Sequence, residues 1–388
     1  DDESELERDT FSVQTGPKIV YWEITNRCNL KCKTCFANTS AFYTKKELEL
    51  DEVKKIIEIL KDFRVIRVDI SGGEPLCRDD IIEILKECVK AFQIVNLYSN
   101  GTLIDEELAM KLKETGIYYY QISLDGPVAE INDLIRGKGS FEKTLRGLYN
   151  LKRAGVNNVQ VKLTLTPENM KYISNFTKFI REEFGYIPAI SVFAPVGSGK
   201  VSYGCEILKK CEEGLFSNFL EMLGIILNLD SSREIKEKEK ILSAIAQNVT
   251  SNMGKYPCSL GRKEGICISP NGDVYLCPYL RDDEFKCGNI LKDKNWFEKW
   301  KGFNIPSVDE IFPCKNCKVR YLCGGGCRGM AFNTYGNLSS PYPYCKFFKS
   351  FYTFVFWELL NENLTLEQIN RKILNFLKYL KNERITEI

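Results

Sequence analysis

From Lys18 to Phe193 the chain repeats one pattern: a short β-branched run, a polar or glycine-rich break, then a stretch with apolar residues at helical spacing. Strands are expected over Lys18–Ile24, Val65–Ile70, Ile94–Tyr98, Tyr118–Leu124, Asn158–Leu165 and Ala189–Phe193. Helices are expected between them, over Lys45–Asp62, Asp79–Phe92, Asp105–Thr115, Ser140–Ala154 and Glu168–Phe184. The first carries Leu48, Val53, Ile56, Ile57 and Leu60 on one face. Six strands alternating with helices predict an α/β fold with a parallel sheet and right-handed crossovers. Sites then belong at the C-terminal strand ends. There stand Ser71-Gly72-Gly73-Glu74-Pro75, Ser99-Asn100-Gly101 and Asp125-Gly126.

The end of the first strand carries the most specific chemistry. Cys28, Cys32 and Cys35 form a CxxxCxxC run within eight residues. Three thiolates so close can hold three corners of one 4Fe–4S cube, leaving one iron open to a small molecule. The competing readings are a zinc knot or buried thiols. Structural zinc normally takes four closed ligands, and no second cysteine pair lies nearby. Sixteen cysteines without a secretory signal point to metal rather than disulfides. The chain has no histidine, so imidazole is absent as ligand, base or proton shuttle. Any acid–base step falls to Asp, Glu, Lys, Tyr or Cys. Tyr98, Tyr118, Tyr119, Tyr120 and Lys162 lie at or near strands, and nothing in the sequence selects one.

The cysteine spacing resembles that of the radical SAM superfamily. The resemblance implies a partial (β/α)6 TIM-like barrel whose open iron chelates S-adenosylmethionine, followed by reductive release of a 5′-deoxyadenosyl radical. The family usually has an aromatic residue before the third cysteine. Here it is Thr34, and Phe36 becomes the candidate adenine neighbour. Gly72, Gly73 and Glu74 match the segment that contacts the methionine amino group. Ser123 to Pro127 resemble the strand-end SLDG, which places Ser123 near the methionine carboxylate and neighbouring groups near the ribose, with Asp125 a cofactor-binding candidate. Asp133, Arg136 and Gly137 match a DxxRG segment, with Asn132 where relatives often have histidine. Arg136 is a carboxylate partner in this reading, set against a surface arginine, and Asn100 is a further pocket candidate.

A second cysteine constellation follows. Cys258, Gly272, Cys277, Cys314, Cys317, Cys323, Cys327 and Cys345 stand in the order of the SPASM domain appended to many radical SAM enzymes. The resemblance implies two auxiliary 4Fe–4S clusters, three clusters in all. The inner one would take Cys258, Cys277 and Cys327, with Cys267 or Cys287 as candidate fourth ligand. The outer would take Cys314, Cys317, Cys323 and Cys345. Zinc at one of these sites is the alternative. Ile268 to Tyr275 reads as a hairpin around Asn271-Gly272.

The expected organisation is an acidic flexible arm (1–16), the barrel (17–196), a helical bridge (197–257), the small cysteine-rich domain (258–350) and C-terminal helices (351–388). Gly197-Ser198-Gly199-Lys200 lacks the full phosphate-loop pattern and is expected to be a flexible loop. Cys205 and Cys211 have no partners at metal spacing. At 388 residues the chain can bury a large core. A net charge of +2 argues against nucleic acid or an acidic membrane as the dominant partner. No run of eighteen apolar residues suggests a span, and a cytoplasmic location is expected. The first residue is not methionine, which leaves room for a preceding segment.

Most SPASM-bearing relatives modify peptides or proteins, so the resemblance implies a peptide maturase forming a thioether or carbon crosslink. Its partners would be the peptide and a reducing donor such as flavodoxin or ferredoxin; leader-peptide recognition would fall to a separate protein, to a preceding segment, or be unnecessary. Oxidative decarboxylation of a haem precursor is the alternative. A sulfatase-maturase-like oxidase is disfavoured, because Pro278 and Tyr279 follow Cys277 where those enzymes typically carry an aspartate. A non-catalytic electron carrier or peptide scaffold is the remaining class.

Overall fold

A computed structural model describes residues 16–37, 46–218, 254–256 and 258–355, with positions 368, 371, 372 and 375. The expected acidic arm (all but Gly16), residues 219–253 and 257 of the expected helical bridge, and most of the C-terminal helices lie outside the described residues.

Six parallel strands are formed: β1 (Ile19–Glu23), β2 (Arg67–Ser71), β3 (Ile94–Ser99), β4 (Tyr119–Ser123), β5 (Val159–Thr164) and β6 (Ile187–Ser191). The helices between them include α1 (Leu50–Asp62), α2 (Ile81–Ala91), α3 (Glu106–Glu114), α4 (Ala129–Arg136), α5 (Ser140–Arg153) and α6 (Ile173–Phe184). Strand alternation sorts the side chains. Val20, Trp22, Val68, Ile70, Val95, Leu97, Ile122, Val161 and Leu163 are buried against the helices. From α1, Val53, Ile56, Ile57 and Leu60 meet them, each burial contributing about 1.5–3 kcal/mol. The opposite positions, Tyr21, Asp69, Asn96, Tyr98, Gln121 and Lys162, are polar and face inward. The lumen is therefore lined with hydrogen-bonding groups.

Local chemistry sets the element ends. Asp105 caps α3 by accepting from the Leu108 N–H at 2.7 Å, and Gly185 closes α6 in the left-handed region. Two helices arise where loops are expected. α4 follows the Asp125-Gly126 turn, and α7 (Ser198–Tyr203) occupies the stretch read as a flexible glycine loop. Gly197 has φ +57°, and a Cβ there would lie 2.4 Å from the Phe36 carbonyl oxygen. That glycine serves close packing on the cysteine loop. After it comes α8 (Ile207–Ser217).

The cysteine-rich region extends the same sheet. β7 (Gly265–Ile268) pairs parallel with β1, and antiparallel β8 (Asp273–Tyr275) and β9 (Lys286–Asn289) follow. The order is β6-β5-β4-β3-β2-β1-β7-β8-β9. The hairpin expected around Asn271-Gly272 is the β7–β8 turn, where Gly272 has φ +83°. Short helices α9 (Trp296–Gly302), α10 (Arg320–Cys323) and α11 (Arg328–Tyr335) lead to α12 (Cys345–Thr353). Phe347 and Phe351 of α12, with Phe354 just beyond it, pack with Phe193, Ile207 and Leu215. Among the described residues no helix is long and apolar enough to cross a membrane.

Candidate radical and cluster site

Because β1 to β4 are parallel, their following loops meet at one end of the sheet. The loop after β1 is pinned from several sides. Gly73 N–H donates to the Thr25 carbonyl at 2.8 Å and Glu74 N–H to the Arg27 carbonyl at 2.7 Å. Asn100 Nδ2 donates to Asn29 Oδ1 at 2.9 Å, and Asn29 Nδ2 donates to Thr102 Oγ1 at 2.7 Å. Lys33 N–H reaches the Ile135 carbonyl, and Ser198 N–H the Cys35 carbonyl. The result is a fixed loop with Cys28, Cys32 and Cys35 half-buried on the wall of one cavity.

Packing of the glycine pair onto this loop is very close. A Cβ on Gly73 would sit 2.2 Å from the Arg27 carbonyl oxygen, and one on Gly72 would be 2.5 Å from the Thr25 oxygen. Gly73→Ala is therefore expected to displace the loop. Anaerobically reconstituted protein should lose about four irons per chain, one cube's worth, measured by iron and sulfide assay. Unchanged iron content would show that the loop tolerates the shift.

The expected residues converge on the cavity in part. Phe36, Gly72, Gly73, Glu74, Asn100, Ser123 and Arg136 line it together with the three thiols. Asp125 is fully buried behind that wall, its Oδ2 2.7 Å from Arg136 Nε. Burial alone would lower the Arg136 pKa, but Asp125 and the neighbouring Cys32 outweigh it and leave it raised. Arg136 Nη1 is 4.0 Å from Cys32 Sγ, so the surface reading of this arginine is excluded. Burial pushes the Glu74 carboxyl up to about 6, although it accepts from Asn100 N–H, Ser99 Oγ–H and Leu76 N–H.

Other expectations change. The Asn100 side chain donates to Asn29 and accepts from Thr102, so it positions the loop as well as lining the cavity. Asp133 accepts from Gly139 N–H, Ser140 Oγ–H and Phe141 N–H, a turn-holding role. Asn132, where relatives often have histidine, accepts from Asp125 N–H at 2.9 Å. Of the strand tyrosines, Tyr118 is exposed and Tyr120 donates to the Leu112 carbonyl on the helix side. Of the candidates named from the sequence, Tyr98 and Lys162 line the cavity, and sequence reasoning missed Tyr21, Gln121, Thr164, Ser191 and Tyr279 beside them. The inward phase of each strand is the signal that finds all but Tyr279.

The second constellation falls into two groups. Cys258 and Cys327 lie close enough to add to the rise that burial causes in the Cys277 pKa, and Cys258 does the same to Cys327. Burial raises the pKa values of Cys314, Cys323 and Cys345, and near thiols add to it: Cys317 acts on all three, and Cys314 and Cys345 act on Cys323. Cys267 is buried beside Cys277, with Arg281 Nη2 3.7 Å from its sulfur. Cys287 is instead a core thiol donating to the Phe285 carbonyl. Among the described residues, no three Cys, Asp or Glu side chains converge on a point suited to a single metal ion. Both groups are made of thiols alone, and in a cube each thiolate binds its own iron at a separate corner. The thiol-only donor sets thus fit iron–sulfur groups.

An aromatic bridge joins the two regions. Phe36 meets Tyr21 at 6.1 Å and Tyr279 at 5.8 Å between ring centroids, and Tyr279 lies two residues beyond Cys277.

Fold and site together define a cluster-dependent enzyme working at the carboxyl edge of a parallel barrel. Residues 22–180 match the radical SAM superfamily model. The mycofactocin maturase MftC of Mycolicibacterium smegmatis is 31% identical over 336 residues, covering 85% of this chain and 83% of the relative. The Fe-coproporphyrin III synthase of Methanosarcina barkeri is 30% identical over 373 residues, 86% and 89% of the two chains. The structure of anSMEcpe with bound AdoMet superposes with a TM-score of 0.62 at 22% identity, over 88% of this chain and 98% of that one. The chain belongs to the radical SAM superfamily. It is a radical SAM enzyme with S-adenosylmethionine and a 4Fe–4S cluster as its cofactors and a cysteine-rich C-terminal region of SPASM type.

Proposed function

We propose that the protein is a peptide-modifying maturase that removes hydrogen from a ribosomally made peptide and forms a thioether or carbon crosslink. The observation that carries this is the continuity of the cavity. Its wall runs from Cys28, Cys32 and Cys35 to Tyr279, beside the second cysteine region. A substrate held there would lie between a radical source and a second redox region, and the similarity to MftC supports a peptide as that substrate.

In this reading Cys28, Cys32 and Cys35 hold the cluster that binds S-adenosylmethionine. Bound there, cluster and cosubstrate supply a one-electron sulfonium cleavage that yields a hydrogen-abstracting radical. Gly72 and Gly73 offer backbone close to the loop, Glu74 faces the methionine amino group, and Ser123 and Arg136 face its carboxylate. Asp125 keeps Arg136 charged and oriented, while Phe36 flanks the adenine. Cys258, Cys277 and Cys327, with Cys267 as fourth ligand, hold the inner auxiliary cluster. Cys314, Cys317, Cys323 and Cys345 hold the outer one, which would pass on the electron left by crosslinking. The barrel (17–196), bridge (197–257) and cysteine-rich domain (258–350) divide these tasks. A flavodoxin or ferredoxin supplies the first electron, and a separate protein presents the leader peptide in the cytoplasm.

The test is anaerobic reconstitution followed by iron, sulfide and zinc analysis. About twelve irons with matching sulfide are expected, and about four with bound zinc would remove the auxiliary clusters. The 30% identity to the Fe-coproporphyrin III synthase supports a second reading, decarboxylation of a haem precursor. Product mass separates them: loss of two hydrogens from a peptide, or loss of a carboxyl group.

A further inference from the structure

Lys162 is the one inward-facing lysine of β5, between Gln160 and Thr164 on the same face. Its neighbours across the sheet are Ser123 on β4 and Ala189 on β6. The side chain is enclosed by protein, its partly accessible portion lines the cavity, and it makes no hydrogen bond or ion pair among the described residues. An ammonium in such a place is costly unless an anion meets it.

The resident carboxylates do not fill that role. Asp69 acts on Lys162 through space without pairing with it. Its own oxygens are taken by Asn96 Nδ2 at 2.7 Å and Arg67 Nη2 at 3.0 Å. On the cluster side, Asp125 pairs with Arg136 at 2.7 Å and Glu74 also acts on that arginine. The cavity lining thus has two cations, Arg136 committed to the cysteine loop and Lys162 left open on β5, one strand beyond Ser123.

We propose that Lys162 receives a carboxylate of the substrate, so that the enzyme selects a molecule presenting a carboxylate inside the barrel beside the carbon from which hydrogen is taken. This rests on the reading of the cavity as the substrate chamber and narrows the substrate to an acid-bearing one: for a peptide, a C-terminal carboxylate or an Asp or Glu side chain. A charge-assisted N–H···O contact inside the barrel fixes orientation as well as adding affinity. Burial also depresses the Lys162 pKa, which a bound carboxylate would reverse.

The test uses reconstituted enzyme saturated with S-adenosylmethionine, so that the cosubstrate's own carboxylate is already accommodated. Sodium propionate, with propionamide and sodium chloride as controls at equal ionic strength, is titrated while the melting temperature is followed. Propionate should raise the wild-type melting temperature by a few degrees, and the controls should not. Lys162→Met and Lys162→Gln should melt at or above the ligand-free wild type, since an unmatched charge is removed, and should lose the propionate response. Lys162→Arg should keep that response, which covers the case in which the methionine variant fails to fold. The dissociation constant for S-adenosylmethionine should stay within about twofold in Lys162→Gln. A tenfold or greater weakening would assign the lysine to the cosubstrate and overturn the proposal. So would a propionate response that survives in Lys162→Gln, or a fall in melting temperature in both neutral variants. Release of 5′-deoxyadenosine is measured in parallel: its absence in the wild type would break the maturase reading, while the propionate response separately decides the role of Lys162.

Discussion

Replacing Cys32 with alanine is expected to reduce release of 5′-deoxyadenosine to the level of iron-free protein. Cys32 is one of three thiols proposed to carry the cube, and there is no histidine in the chain to take its place. The loop itself should survive the change. It is held by Gly73, Glu74, Asn100, Ile135 and Ser198, through contacts that do not use the Cys32 sulfur. The loss should therefore appear in iron content and S-adenosylmethionine cleavage, with the melting temperature of the iron-free protein unchanged. Cys88→Ala makes the useful contrast. Cys88 lies in α2, fully buried in the core, and its truncation should cost about 1–2 kcal/mol of stability while sparing cleavage. If Cys32→Ala still produced 5′-deoxyadenosine, the assignment of the loop would be wrong.

Much of this site is legible in the sequence, because strand-end residues are marked by position. Once Val65–Ile70 is a strand, Gly72, Gly73 and Glu74 stand at its carboxyl end, and parallel pairing brings them to Cys28–Cys35. Residues whose role depends on distant partners are harder to read. Asn100 is close in sequence to a strand end, yet its amide belongs to Asn29, 71 residues away. Gly197 reads as loop flexibility, but its purpose is set by the carbonyls of Cys35 and Phe36. Tyr279 enters the cavity only because β7 pairs with β1 and swings the cysteine-rich region across the barrel mouth. No local pattern encodes that pairing. Lys162 is intermediate: its inward phase follows from alternation, but its lack of a partner is a property of the assembled lumen.

Cys345→Ala is expected to separate the two halves of the reaction. Cys345 is the first residue of α12. Its thiol is grouped with Cys314, Cys317 and Cys323 and is not part of the cavity wall. Losing it leaves Cys28, Cys32 and Cys35 untouched, so S-adenosylmethionine should still be cleaved. The outer four-thiol set becomes incomplete, and about four irons per chain should be lost. If that cluster takes the electron left after bond formation, substrate radicals will then be quenched rather than oxidised. Cleavage should continue with crosslinked product reduced to background, which mass spectrometry of the peptide and chromatography of 5′-deoxyadenosine measure together. Product formed at the wild-type rate by an iron-depleted Cys345→Ala enzyme would remove the outer cluster from electron transfer. The electron would then have to leave through the inner group, whose Cys277 stands two residues before Tyr279 on the cavity wall.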